Sequence, residues 1–141
     1  MSQVGSSYTL STPTELAFSD AVASVREELA REGFGVLCEI DVQATLKLKL
    51  GVDREPYLIL GACNPPLAHR ALEAEPELGV LLPCNVVVYQ QQGQTHIAAV
   101  DAEQMLAIVG NDELADTAGE VRRRLSAVVD RAAQTSAGRP A

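Results

Sequence analysis

The chain has no tryptophan, two phenylalanines and three tyrosines, so aromatic residues make up only 4% of it. Binding of single-stranded nucleic acid by base stacking therefore has few side chains to draw on. Lysine is nearly absent as well, with Lys47 and Lys49 the only two. Eleven basic against nineteen acidic residues give a formal charge of −8. That balance argues against nucleic acid as a partner, because phosphate contacts need Lys and Arg. No apolar run approaches the roughly 20 residues of a membrane-crossing helix, so no membrane association is expected. Residues 1–7 lack the basic region and apolar core of a secretory signal, and a cytoplasmic location is the expectation. Also missing are a phosphate loop, GxGxxG, GxSxG and a paired catalytic carboxylate signature. No recognised catalytic motif remains, and the reading leans away from an enzyme.

Cysteine is sparse too. Cys38, Cys63 and Cys84 make an odd count with no CxxC spacing, and His69 and His96 add no HxxxH pair. Neither a disulfide framework nor a metal centre is expected from these, and no cofactor is implied.

What the chain does have is ordinary for a soluble globular protein, with 47% apolar and 21% charged residues over 141 positions. A chain of this length can bury roughly two-thirds of its unfolded surface. The pattern suggests a flexible N-terminus over residues 1–7, one domain over 8–133 and a disordered polar tail over 134–141.

Tyr8 to Thr12 reads as a strand ended by Pro13. Ser19 is placed to cap a helix carrying Val22, Val25 and Leu29, which Gly33 closes. Phe34 to Ile40 is a strand with Val36, Cys38 and Ile40 on one face, which predicts Cys38 in the core. Residues 41–51 are ambiguous. Leu46-Lys47-Leu48-Lys49-Leu50 alternates like a strand, yet Asp41 can cap a helix and Gly51 can stop one, which favours a short helix. Tyr57 to Leu60 is a strand and Pro65 to Ala74 a helix. Leu82 to Tyr89 and Thr95 to Val100 form the clearest hairpin, joined by residues 90–94. Asp101 followed by Gln104 is a capping-box variant that opens the helix of Met105, Leu106 and Val109. From about Asp112 to Ala132 a last helix carries the stripe Leu114, Ala118, Val121, Leu125, Val128 and Ala132. Its basic run, Arg122-Arg123-Arg124, has Glu120 within helical reach and reads as a solvated face, an anionic partner being the alternative. Together these elements predict an α+β two-layer sandwich: a largely antiparallel sheet of about five strands with helices packed on one face.

The stretch richest in chemistry is Leu60 to Ala68, answered by Leu82-Pro83-Cys84-Asn85-Val86. Cys63 stands where a strand hands over to a helix. Asn64 can cap that helix and Pro65 can take its first position. A thiol there lies near unpaired N–H groups and the positive end of the helix dipole, which favours anions and thiolates. The alternative is a packed thiol with no chemistry. Cys84 would approach Cys63 if their strands are neighbours. Glu39, Asp41 and Lys47 form a second cluster, in which a buried Glu39 would need Lys47 as its partner. The alternative there is a surface-facing Glu39 and a capping Asp41.

With these residues read, the chain resembles the uncharacterised prokaryotic family catalogued as domain of unknown function 302. The resemblance covers roughly Phe18 to Met105. It rests on Gly33-Phe34-Gly35-Val36, Glu39-Ile40-Asp41, Thr45-Leu46-Lys47, the segment Tyr57 to Pro65, Leu81-Leu82-Pro83-Cys84 and Val100-Asp101. It implies an α+β fold similar to the saddle of the TATA-binding-protein-like class, usually as a homodimer, without implying DNA binding. It points to the same six residues as candidate ligand contacts: Glu39, Asp41, Lys47, Cys63, Asn64 and Cys84. Three functional expectations follow. The first is a dimeric module binding a small anionic or polar ligand near Cys63. The second is sulfur transfer or redox chemistry with Cys63 as the reactive thiol and Cys84 as its partner. The third is a purely structural or interaction domain.

Overall fold

In the computed structural model, which describes residues 3–134, the chain runs β1 (Gln3–Ser6), β2 (Thr9–Thr14), α1 (Phe18–Arg31), β3 (Gly35–Asp41), α2 (Val42–Leu50) and β4 (Tyr57–Cys63). It continues through α3 (Pro65–Ala74), a 3-10 turn (Pro76–Leu81), β5 (Cys84–Gln91), β6 (Gln94–Val100), α4 (Ala102–Ala107), a second 3-10 turn (Asp112–Leu114) and α5 (Ala115–Ala132). The strands form one sheet in the order β1-β2-β6-β5-β4-β3, with every pairing antiparallel. The fold is the expected α+β sandwich, five principal strands and a short sixth at the edge. Gln3–Ser6, within the segment read as a flexible N-terminus, supplies that sixth strand. Of the segment read as a disordered tail, residues 135–141 lie outside the described residues.

Each strand divides its side chains between two faces. The inner face carries Leu10, Leu60, Ala62, Val86, Val88, Ile97 and Ala99, all buried. Against it pack Val25 and Leu29 of α1 and Val121, Leu125 and Val128 of α5, which form one core with all of these but Leu10. All six residues of the stripe read for the last helix are buried. Two buried hydroxyls tie down the C-terminal end of that helix. Ser24 donates to the Ala132 carbonyl at 2.9 Å, and Thr14 donates to that of Ala133 at 2.7 Å. A second, smaller core joins Ala71 and Leu78 to Leu106, Leu114 and Ala118.

The outer face is built in rows across the strands. One row is Ser11, Ala98, Val87, Ile59 and Ile40. The next is Pro13, His96, Tyr89 and Tyr57. In that second row Tyr57 stacks on Tyr89 at 5.4 Å between ring centres and Tyr89 on His96 at 5.0 Å, with the Arg54 guanidinium 4.9 Å from the Tyr57 ring centre.

Several local expectations change. Cys38 is exposed rather than in the core. A bulge between Val36 and Cys38 inserts Leu37, so Val36 pairs with Ala62 while Cys38 pairs with Gly61. One extra residue moves everything after it to the opposite face, which puts Cys38 and Ile40 outside. Helix α1 starts at Phe18 after Ala17, with no side-chain cap, so Ser19 lies inside the helix and does not cap it. Strand β2 continues through Pro13 to Thr14, because Pro13 lies beyond the last residue paired to β1. The hairpin turn is tighter than read. Gln92 and Gly93 both take positive φ, 52° and 79°, in the two-residue geometry that matches strand twist.

Segment 42–50 is helical, as its caps favoured. The Asp41 carboxylate accepts from Ala44 N at 2.9 Å, and Gly51 forms the C-cap. The helix buries no residue: Leu48 and Leu50 are 84% and 69% exposed. Capping decides the conformation here and burial does not, which is why the alternation misleads. Asp101 caps α4 as expected, accepting from Glu103 N at 3.0 Å and Gln104 N at 3.4 Å. The basic run on α5 is internally engaged. Arg122 meets Asp101 at 3.1 Å, while Arg123 and Arg124 both bond Glu120 and hold its carboxyl below the usual range.

Candidate functional site

Strand β4 ends in Gly61-Ala62-Cys63, and the chain turns directly into α3. Asn64 is extended (φ −102°, ψ 102°) and its side-chain oxygen accepts from Leu67 N at 3.4 Å. The Asn64 carbonyl accepts from Ala68 N at 2.8 Å. Pro65 and Pro66 occupy the first two helical positions. This is the predicted cap, and it has a consequence for binding. Pro65 and Pro66 have no N–H, and those of Leu67 and Ala68 are taken. An anion at this helix start therefore finds no free backbone donor in the first turn, which removes the contact the anionic-ligand expectation relied on.

The other end of the Asn64 side chain is also occupied. Its amide nitrogen donates to the Glu32 carbonyl at 3.4 Å, and the Arg124 guanidinium donates to the same oxygen at 2.9 Å. Asn64 is 7% exposed. It joins the end of α1 to the start of α3 and serves as a structural clasp.

Beside this clasp lies a cavity of about 290 Å³. Ala62 and Cys84 form its floor at the ends of β4 and β5, with Phe34 next to them. Leu67 and Ala71 of α3, Met105 and Leu106 of α4, and Val121 of α5 complete the walls. Phe34 and Val121 belong to the main core, Ala71 and Leu106 to the smaller one. The cavity is therefore the seam between two cores, with Leu82 and Met105 packed against both. Leu37 and Leu72, exposed, stand at its rim with Gly79. None of the described residues that line it is Asp, Glu, Lys, Arg or His. Alanines at 62, 68, 71 and 102 leave the space: four small side chains at positions where larger ones would meet.

Both expected thiols reach this wall. Cys63 is half-buried and Cys84 buried, and both are free thiols. Burial, and secondarily the neighbouring Cys63, push the Cys84 thiol up from 9.0 to about 11. It stays protonated at neutral pH, so it is not the ready thiolate that a resolving cysteine provides. Neither histidine lines the cavity. His69 is exposed on α3, and His96 stacks on Tyr89 on the outer face.

The remaining predicted residues lie elsewhere. Glu39, Asp41 and Lys47 sit at or beyond the far end of the β3–β4 pair, where Asp41 faces Leu58, whereas Cys63 faces Gly35 at the other end. Glu39 pairs with Arg26 of α1, and Lys47 with Asp53 at 2.9 Å. Glu39 is exposed on the helix side of the sheet, where Arg26 is its neighbour, and Asp41 caps α2, as in the surface-facing alternative; the Glu39–Lys47 pair that a buried Glu39 would have needed does not form. Sequence reading missed Phe34, Ala71, Met105, Leu106 and Val121 as cavity walls. Periodicity marks three of these as core, and the readable signal for a gap was the run of alanines at core-facing positions.

The profile of the family described as "Domain of unknown function DUF302" matches residues 9–132, and the chain belongs to that family. The match is longer at both ends than the resemblance seen in the motifs. The chain is also similar to a solved structure, the crystal structure of uncharacterized conserved protein DUF302 from Bacillus stearothermophilus. The TM-score is 0.85 at 30% identity, covering 92% of this chain and 100% of that one. None of the curated proteins matches.

Proposed function

We propose that this member of the DUF302 family is a binding module for a small apolar ligand, held in the seam between its two cores. The cavity of about 290 Å³ with no charged side chain on its wall carries the reading. Well-packed interiors have few voids larger than a water molecule. An engineered apolar cavity of about 150 Å³ in another protein stays dry and takes up benzene. This one is about twice that size, at the small end of the roughly 300–1,000 Å³ of ligand sites. The two thiols and the Met105 thioether give it soft, polarisable contacts suited to an apolar or aromatic guest.

The test is a native mass spectrum of the protein purified without reductant, followed by the same sample denatured. An adduct of small mass that is lost on denaturation supports the reading and gives the ligand's mass. Thiol chemistry at Cys63 and Cys84 is the alternative, favoured by their common cavity wall. It predicts instead a mass shift that survives denaturation and disappears with Cys63→Ser. The raised Cys84 pKa and the absence of a base among the described cavity residues place it second.

A further inference from the structure

We infer that the guest of the seam is a single-chain amphiphile, with its alkyl chain in the cavity and its polar end outside, past an apolar threshold formed by Leu37 and Leu72. This rests on the cavity being a binding site and names the class of molecule it takes. Leu37 carries the inference. Val36 faces Ala62 and Cys38 faces Gly61, so Leu37 is the inserted residue of the β3 bulge and has no partner on β4. Bulges re-aim side chains beside functional sites. This one holds a leucine at the cavity mouth while leaving it 68% exposed. Leu72, 39% exposed, reaches the same mouth from α3. Exposed leucines scattered singly are ordinary. Two from different elements at one opening are a continuation of the cavity's apolar wall into solvent, and a guest that emerges from the cavity covers them.

Size and charge set the rest of the class. At about 30 Å³ per heavy atom, the share of one water molecule in the liquid, a cavity of 290 Å³ holds roughly ten heavy atoms. That is room for one alkyl chain and too little for the two chains of a membrane lipid. None of the described lining residues carries a charge, so a charged or strongly hydrated end finds no partner inside and stays in water. A compact ring fills the same volume but leaves both leucines uncovered. Chain atoms beyond those the cavity holds lie between Leu37 and Leu72, and binding there removes apolar surface from water on both sides.

The test is displacement of the bound neutral probe N-phenyl-1-naphthylamine from the full chain by 1-octanol and by 1-dodecanol. The shorter alcohol ends inside the cavity and the longer one passes its mouth. Each fully buried methylene tightens binding about fourfold, so 1-dodecanol is expected to bind at least about tenfold more tightly even with its last methylenes only partly covered. Leu37→Ser is expected to weaken 1-dodecanol at least about fivefold and 1-octanol less than about twofold, because only the longer chain reaches residue 37. Leu37 belongs to neither core, and far-UV circular dichroism checks that the variant keeps the fold. Equal affinity for the two alcohols, or a Leu37→Ser effect that is the same for both, overturns the inference. Saturable probe binding that neither alcohol displaces overturns it as well, while leaving the cavity as a site for another apolar class. No saturable probe binding overturns the cavity reading and this inference together.

Discussion

The Asn64 side-chain nitrogen donates to the Glu32 carbonyl at 3.4 Å, and so joins the end of α1 to the residue that starts α3. The same side chain caps α3 through its oxygen, so one residue orders two helix ends. Asn64→Ala removes both bonds and leaves the Glu32 carbonyl to Arg124 alone. The expected cost is about 1–3 kcal/mol in urea denaturation, the sum of a lost cap and a lost part-buried hydrogen bond. Asn64→Asp keeps the cap and loses the donor, so it falls between the two. Equal losses for Ala and Asp would mean the cap contributes nothing.

Gly33, next to Glu32, holds φ +85°, and a Cβ there would lie 3.2 Å from the Asn64 nitrogen. Gly33→Ala therefore meets both backbone strain and a crowded clasp. A loss of about 1–3 kcal/mol is expected, and in combination with Asn64→Ala the two losses sum to less than their separate values. Full additivity in the double variant would show that the two do not share one site.

Gly61 is constrained differently. A Cβ there would come within 2.6 Å of Cys38 Sγ and 2.8 Å of Pro83 Cγ. Gly61→Ala overpacks the outer face and is expected to cost about 1–3 kcal/mol. Adding Cys38→Gly removes the nearer obstacle and recovers part of that loss, while the Pro83 contact keeps the remainder. Absence of any recovery would show that the sulfur is not what the added methyl meets.

Cys84 sets an alkaline limit. The folded chain keeps this thiol protonated up to about pH 11, whereas in the unfolded chain it ionises near its ordinary value of 9.0. Between those values the native state binds more protons than the unfolded one, so stability is fully present below pH 9 and falls as pH rises toward 11. The difference is on the order of 2–3 kcal/mol. Other groups titrate in the same window, so the measurement is the wild-type loss from pH 8.5 to 11 minus that of Cys84→Ala. A difference near zero would show that the thiol ionises freely in the native state.

The sequence is legible where local chemistry and burial agree. Asn64-Pro65 announces the start of α3 because a cap and an N1 proline act within a few residues. The stripe from Leu114 to Ala132 works because every member is buried. Cys38 fails because a single inserted residue, Leu37, reverses the faces, and only the pairing with β4 shows it. The partner of Glu39 is hidden from the sequence for the same kind of reason: Arg26 is thirteen positions away and meets it through the packing of α1. The candidate site was half readable. Cys63, Asn64 and Cys84 converge on one cavity wall because β4 and β5 are neighbours, a pairing the sequence left open, and the apolar character of the space depends on how α3, α4 and α5 meet. The second proline, Pro66, was in plain view and already argued against an anion at the helix start.

Filling the cavity tests its emptiness. Ala71, 4% exposed, points into it from α3. Ala71→Met places three more heavy atoms in open space, and thermal stability is expected to hold or rise by about 1 kcal/mol, within the range of cavity-filling changes. A loss above about 2 kcal/mol would show that the wall is already close-packed at that point.

The most direct measurement is a fluorescence titration with the neutral apolar probe N-phenyl-1-naphthylamine against the wild type and Ala71→Met. A saturable one-to-one enhancement is expected in the wild type, weakened at least about tenfold in the folded Ala71→Met variant. No saturable signal in the wild type, or the same affinity in both proteins, would contradict the claim that this seam is a binding site.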